Sequence, residues 1–301
     1  MSEGDALDAA VGGTPTRRLL AEAAGRLRAG GVGSPEHDAA ELLAHVLGTT
    51  RGQLVLVDRV EESTVGRFEV LVARRAAREP LQHLTGVAHF RHVELAVGPG
   101  VFVPRPETEL LAGWALDAAR AVLASGRGPV VVDLCTGSGA IARSIADELP
   151  QAEVHAVELS PDAHQWAARN LAGTEVDLRQ GDFALAFDDL LGTVDVVVCN
   201  PPYIPLEAWE SVAVEARDHD PHLALFSGDD GLDAIRVLAR RAARLLRAGG
   251  VLGVEHADEQ GPDGAGGGAP AVFAAIGDWL EVRDHTDLAG RPRFTTARLA
   301  R

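Results

Sequence analysis

The chain contains no lysine: all 28 of its Lys-or-Arg positions are arginine, set against 44 acidic residues for a net charge of −16. The acidity is uneven, since residues 1–90 hold 12 acids and 10 arginines whereas residues 91–301 hold 32 and 18. A net negative charge favours solubility and opposes loose binding to nucleic acid or an anionic membrane, although a local arginine cluster can still build a basic face. Only two cysteines occur, Cys135 and Cys199, which excludes a disulfide scaffold and is too few for a four-ligand zinc site. No run of 18 uncharged apolar residues is present, so no membrane span is expected. The first residues, MSEGDALDAAVGG, are acidic and lack the apolar core of a signal peptide, so the expected compartment is the cytoplasm. Aromatics make up only 4% of the chain, and the core must therefore come from Leu, Val and Ala, which the 46% hydrophobic content supplies.

A chain of 301 residues accommodates one large domain and one small one. Residues 1–13 read as a loose tail. Thr14-Pro15 reads as a helix cap with Pro in the first turn, before Leu19, Leu20, Ala23 and Leu27 at helical spacing and a stop at Gly30-Gly31. Ser34-Pro35-Glu36 opens a second helix whose apolar face is Ala39, Leu42, Leu43, Val46 and Leu47. A short helix from Arg51 and a longer one from Glu62 to Ala77 complete a small helical domain, residues 1–79. Residues 80–103 alternate apolar positions with turn glycines and read as a hairpin linker. The second domain, residues 104–301, begins with Pro104 and Pro106, which hold an extended approach to a helix over 108–124.

From residue 129 strands alternate with helices. Strands are predicted at 130–134, 153–158, 175–179, 194–199 and 249–255, with helices at 139–148, 161–171 and 229–248. That repetition indicates an α/β fold with a parallel sheet covered on both faces. Two more strands at 278–284 and 293–299 lie too close for a helical crossover and should be antiparallel, giving a mostly parallel seven-stranded sheet. The glycine-rich tract from Gly261 to Pro270 reads as a mobile loop without chemistry.

Asp133-Leu134-Cys135-Thr136-Gly137-Ser138-Gly139 sits where the first strand of the sheet gives way to a helix, the position that faces the ligand crevice in such folds. Gly137 and Gly139 permit close approach of a ligand. A dinucleotide site would need a third glycine in G-x-G-x-x-G, and Ala142 stands there instead. S-adenosylmethionine has no phosphate to hold and fits the loop, with Asp133 placed to accept from its ammonium group. Glu158, 19 residues beyond Gly139 at the end of the second strand, is placed to accept from both ribose hydroxyls, a feature that NAD would share. Asp182 and Phe183 follow the third strand, placed to meet the adenine amino group and ring.

Asn200-Pro201-Pro202-Tyr203 follows the buried strand 194–199 and carries the chemistry. An amide nitrogen, like an exocyclic base amine, is a poor nucleophile because its lone pair is delocalised. The Asn200 side-chain oxygen and the Pro201 carbonyl would accept from its two N–H groups and hold the nitrogen in line with a sulfonium methyl. Pro202 stiffens the turn, and Tyr203 offers a flat face to the planar group.

These residues resemble those of the protein-(glutamine-N5) methyltransferases, which modify peptide release factors and a ribosomal protein. The likeness runs through Pro80–Gly86, Phe102–Glu109 (FVPRPETE), Asp133–Ala142, Asn200–Tyr203 and Gly228–Leu232, nearly the length of the chain. It implies a Rossmann-like class I methyltransferase domain behind a helical domain that recognises the protein substrate. It further implies S-adenosylmethionine as cofactor, S-adenosylhomocysteine as product, and the glutamine of a release factor Gly-Gly-Gln loop as target. By the same likeness, Asn200 and Pro201 hold the target amide with Pro202 and Tyr203 beside it, and Phe102, Pro104 and Arg105 border the pocket. Asp133, Cys135, Thr136, Gly137 and Gly139 line the cofactor, Glu158 binds its ribose, and Asp182 and Phe183 flank its adenine. The NPPY segment alone is shared with adenine-N6 methyltransferases of DNA and RNA, an alternative that the acidic body disfavours; glutamine methylation of a ribosomal or other protein is a further one. Cys135 stands where many members carry Gly, Asp220 where Glu usually precedes Pro, and His256 where a small residue follows the strand acid Glu255. No metal site is expected, His219, Asp220 and His222 matching no ligand template. His83 and His89 read as surface or linker residues. Arg236, Arg240, Arg241, Arg244 and Arg247 share one helical segment and read as a solvated face, or as a contact for ribosomal RNA or an acidic partner patch. A monomer is expected, with direct nucleic-acid binding unfavoured.

Overall fold

The computed structural model describes residues 13–300, so the expected tail lies almost wholly outside the described residues. Two compact units divide between Gly86 and Val87.

The first unit is helical. Helices α1 (Thr16–Ala29), α2 (Pro35–Leu47) and α3 (Glu62–Ala76) close around Leu27, Leu42, Leu43 and Phe68, all fully buried. The stretch after Arg51 is a 3-10 helix, Arg51–Leu56. Thr14 does not cap α1 as expected: Pro15 takes the N-cap position, with no side-chain cap bond. Thr14 and Pro15 form a two-residue strand, β1 (Thr14–Pro15), paired antiparallel with β2 (Arg59–Val60), because the Arg59 guanidinium donates to the Gly13 carbonyl at 3.0 and 2.6 Å and holds the entry extended. Pro80 to Gly86 departs from the expected hairpin too: Leu81–Thr85 is one short helix, α4, started by Pro80 and stopped by Gly86 in the left-handed region. Leu81 and Leu84 pack into the helical core, so the hairpin begins only at β3 (Val87–Phe90), which turns into β4 (Val93–Ala96). An ion pair is buried in this unit, with Arg75 Nε donating to Asp38 Oδ2 at 2.8 Å.

The second unit contains the seven-stranded sheet. Its strands are β5 (Val130–Leu134), β6 (Glu153–Glu158), β7 (Asp177–Gln180), β8 (Val194–Cys199), β9 (Leu246–Glu255), β10 (Trp279–Thr286) and β11 (Pro292–Leu299). Their order is β10-β11-β9-β8-β5-β6-β7, parallel except for β11, which runs antiparallel between β9 and β10. One face is covered by the hairpin together with α5 (Thr108–Ala124), α6 (Ala140–Glu148) and α7 (Pro161–Asn170). The short helix α8 (Val214–His219) follows β8. The other face is covered by α9 (Asp233–Leu245) and α10 (Gly268–Ile276). Helix α10 corrects the expectation of a mobile loop over 261–270. Ala269 and Phe273 are fully buried, and Phe273 meets Trp279 edge-on at 5.5 Å, so an apolar stripe orders the segment that follows the glycines. Strand order reverses between β5 and β8, and at that reversal the carboxyl ends of the strands open a crevice.

Candidate active site

A cavity of about 380 Å³ lies at that crevice, within the range of small-molecule sites. All of its lining residues belong to the second unit. They include Phe102, Pro104, Cys135, Thr136, Gly137, Glu158, Asp182, Phe183, Asn200, Pro202 and Tyr203, which segments far apart in sequence thus bring together.

The β5 loop forms the floor. Cys135 takes a φ of 89°, a conformation that Gly adopts freely and that costs energy in a residue with a side chain. Beneath the loop, Asp133 is fully buried: its Oδ2 accepts from the Thr136 hydroxyl at 2.6 Å and from the Ala142 N–H at 3.3 Å. Its Oδ1 is buried with no partner among the described residues, and burial pushes the carboxyl up to about 7. Glu158 Oε2 accepts from the Gly137 N–H at 2.9 Å and Oε1 from the Ser160 N–H at 2.8 Å. Burial raises its pKa, and these backbone N–H groups oppose the rise by favouring the anion. Asp182 turns its own loop by accepting from the Ala184 N–H at 2.9 Å, and Phe183 forms the wall beside it.

The opposite wall is the NPPY turn. Asn200 Nδ2 donates to the Thr108 hydroxyl at 3.3 Å, so the side-chain oxygen is the group left for the cavity. The Tyr203 hydroxyl donates to Glu255 Oε1 at 3.3 Å. Burial and the nearby Glu255 charge raise the phenol further above its usual range, and it stays neutral. Glu255 itself is fully buried at the end of β9, and burial pushes it up to about 7 against the opposing pull of Thr108, Arg293 and Tyr203.

Four expected site residues are not on the cavity wall. Arg105 turns away to pair with Asp220, Nη2 to Oδ2 at 2.7 Å, while its guanidinium lies 4.8 Å from the Phe102 ring centre. Pairing compensates the charge of Asp220, whose carboxyl burial pushes up to about 6. Asp133, Gly139 and Pro201 are buried and do not border the cavity. The sequence reading missed Thr108, Ser160, Ile204 and Ala213, all on the wall. Thr108 sat inside the recognised PRPETE segment. Ala213 lies on a surface loop with no chemical signature.

The remaining candidates fall outside the cavity chemistry or serve it structurally. His222 packs against Trp209 at 4.7 Å, and Asp220 is taken by Arg105. The arginine helix is not one solvated face: Arg241 is buried and pairs with Asp188 at 2.8 Å, Arg236 bonds Asp233 at 2.9 Å, and Arg247 beyond the helix pairs with Asp195 at 2.6 Å.

The chemistry of this donor set fits S-adenosylmethionine. A glycine loop and the strand-end acid Glu158 border one cavity, the unpartnered buried oxygen of Asp133 lies beneath that loop, and no cation stands among the lining residues to hold a phosphate. Bound there, S-adenosylmethionine supplies an electrophilic methyl group. Asn200, Pro202 and Tyr203 line the wall opposite the glycine loop, where an amide oxygen can accept from an N–H and a ring can pack on a planar group.

Comparison with known proteins agrees with this geometry. Residues 18–86 match the PrmC N-terminal domain, and residues 131–219 match a methyltransferase domain. The release factor glutamine methyltransferase of Streptomyces coelicolor is 58% identical over 93% of this chain and 97% of that protein. That of Mycolicibacterium smegmatis is 46% identical over 96% and 99%. A 4-amino-L-phenylalanine/4-methylamino-L-phenylalanine methyltransferase of Streptomyces pristinaespiralis is 42% identical over 87% and 88%. Such identity over nearly the full length, on an S-adenosylmethionine-dependent fold, places the chain in the release factor glutamine methyltransferase family.

Proposed function

We propose that the protein transfers the methyl group of S-adenosylmethionine to the side-chain amide nitrogen of a glutamine in a peptide chain release factor, at the Gly-Gly-Gln loop. The observation that carries this reading is the Asn200 amide, whose NH2 is engaged by Thr108 and whose oxygen is left to accept from a substrate NH2 at the cavity. Asn200, Pro202 and Tyr203 grip the target, with Phe102 and Pro104 at the rim. Thr136, Gly137, Glu158, Asp182 and Phe183 hold the cofactor, and Asp133 acts from beneath the loop. The residues 1–79 that the sequence delimits as a helical domain recognise the protein substrate, and the reaction belongs to the cytoplasm, where release factors work.

An arylamine also presents a flat NH2, and one relative is named for that acceptor. The higher identity to the release factor enzymes favours the amide. Incubation with labelled S-adenosylmethionine and, in turn, a purified release factor, a ribosomal large-subunit protein and unmethylated DNA tests the reading. Label on the Gly-Gly-Gln glutamine is the expected result. Label on adenine alone, or on the ribosomal protein alone, overturns it.

A further inference from the structure

The cavity contains one polar choice that the reaction depends on and that Asn200 cannot make by itself. A side-chain amide fits its site in two orientations of nearly equal shape, one with oxygen and one with NH2 toward the substrate. Only the first accepts from a target NH2. Thr108 is the group that Asn200 touches, at 3.3 Å, and a hydroxyl is ambivalent because it donates or accepts. The orientation is therefore decided by where the Thr108 proton goes.

Behind Thr108 lies Glu255. Strand β9 pairs with β8 through Val254 and Cys199, which puts Glu255 next to Asn200 across the sheet. Helix α5 packs across both strands and begins at Thr108. One Glu255 oxygen receives the Tyr203 hydroxyl, whereas Oε2 is buried without a formed hydrogen bond, and the Thr108 hydroxyl, with Arg293 and Tyr203, is among the neighbouring groups that favour the charged carboxylate. An ionised carboxylate only accepts, and it outcompetes a neutral amide oxygen for a shared proton.

We propose that Glu255 and Thr108 are positioning residues for methyl transfer: Thr108 commits its proton to Glu255, can then only accept from Asn200, and so turns the Asn200 oxygen toward the substrate amide. The Asn200 NH2 donates to Thr108, and the unpartnered Glu255 Oε2 is the acceptor to which the Thr108 proton is assigned, so the relay runs in one direction. Neither residue exchanges a proton with substrate. When Glu255 is protonated it becomes a donor, the chain loses its direction, and the Asn200 NH2 is free to face the cavity. The charged or titratable groups around Glu255 are Tyr203 on the NPPY turn, Arg293 on β11 and Glu107 before α5.

The inference rests on transfer to an NH2 acceptor, so the experiment begins with the parent enzyme and a release factor; no transfer by the parent would overturn that reading, whereas the variants address this one. Turnover is measured for Thr108→Val, Thr108→Ser and Glu255→Gln from pH 5.5 to 8.5, with S-adenosylhomocysteine affinity by calorimetry. Thr108→Val is expected to lose about 30-fold or more in kcat with affinity within about twofold, and Thr108→Ser to return within about fivefold of the parent. The parent kcat is expected to fall on the acidic side of about pH 7, where Glu255 takes up its proton, and Glu255→Gln to flatten that limb. Asp133 and Asp220 are pushed up into the same range, but Glu255→Gln leaves both in place, so a limb that persists in this variant belongs to another group and contradicts the proposal. Thr108→Val turnover within about threefold of the parent also contradicts it. If Thr108→Val does not fold, the Glu255→Gln profile decides.

Discussion

Gln260 fastens Tyr203 from behind: its side-chain Nε2 donates to the Tyr203 carbonyl at 2.9 Å and to the Asp230 carbonyl at 3.0 Å. Its Oε1 accepts from the Ala257 N–H at 3.0 Å, which fixes which end of the amide faces the two carbonyls. A single buried side chain thus ties the NPPY turn to the Gly228–Leu232 segment. Gln260→Ala leaves two carbonyls without their donor. Turnover should fall about tenfold, with little change in S-adenosylhomocysteine affinity, since Gln260 touches the substrate wall and not the glycine loop. Steady-state kinetics beside calorimetry check this.

Gly231 is required by the same junction. Its φ is +75°, and a Cβ there would collide with the Tyr203 carbonyl oxygen and the Gln260 amide. Gly231→Ala should lower stability by about 2 kcal/mol or more and displace the turn, read as a drop in both Tm and kcat. An alanine variant with parent Tm and turnover would show that the turn is less constrained than described.

Buried Asp133 makes a prediction about pH. Its carboxyl is pushed up to about 7 in the folded protein, against about 4 in an unfolded chain. Below about pH 4 the proton is bound in both states. Between about 4 and 7 the unfolded chain releases it while the fold keeps it, so this group's contribution to stability is lost as pH rises through that window. Asp133→Asn carries no charge to bury. Relative to this variant, the parent should lose stability as pH rises from 4 to 7, and parallel denaturation curves across that window would refute the assignment.

In the helical unit, the Asp38–Arg75 pair is buried at both ends, and Asp38→Ala removes the carboxylate that faces the Arg75 guanidinium. The expected loss is about 3 kcal/mol. It should appear in chemical denaturation of the full chain, with S-adenosylhomocysteine affinity of the folded protein unchanged.

The main strands were legible in the sequence because β5 and β8 are apolar runs of fold-typical length bounded by glycine, proline or asparagine. The cavity was legible where a residue type betrays its chemistry, as at Glu158, Asp182 and Asn200. Other features were hidden for physical reasons. Position in a motif does not tell which way a side chain points: Arg105 is committed to Asp220, a partner 115 residues away. Helix α10 was obscured because the glycines before it mask the apolar stripe of Ala269 and Phe273. The insertion of β11 between β9 and β10 depends on sheet pairing, which local pattern does not encode. Gln260 carries no chemical signature in the sequence, and only its contacts reveal that it holds the NPPY turn.

The most direct test is a crystal structure of the full chain with S-adenosylhomocysteine and a peptide containing Gly-Gly-Gln. Asn200 Oδ1 should accept from the glutamine amide within hydrogen-bonding distance, with that nitrogen facing the cofactor sulfur and Nδ2 still on Thr108. A glutamine bound elsewhere, or an Asn200 side chain turned away from it, would contradict the account.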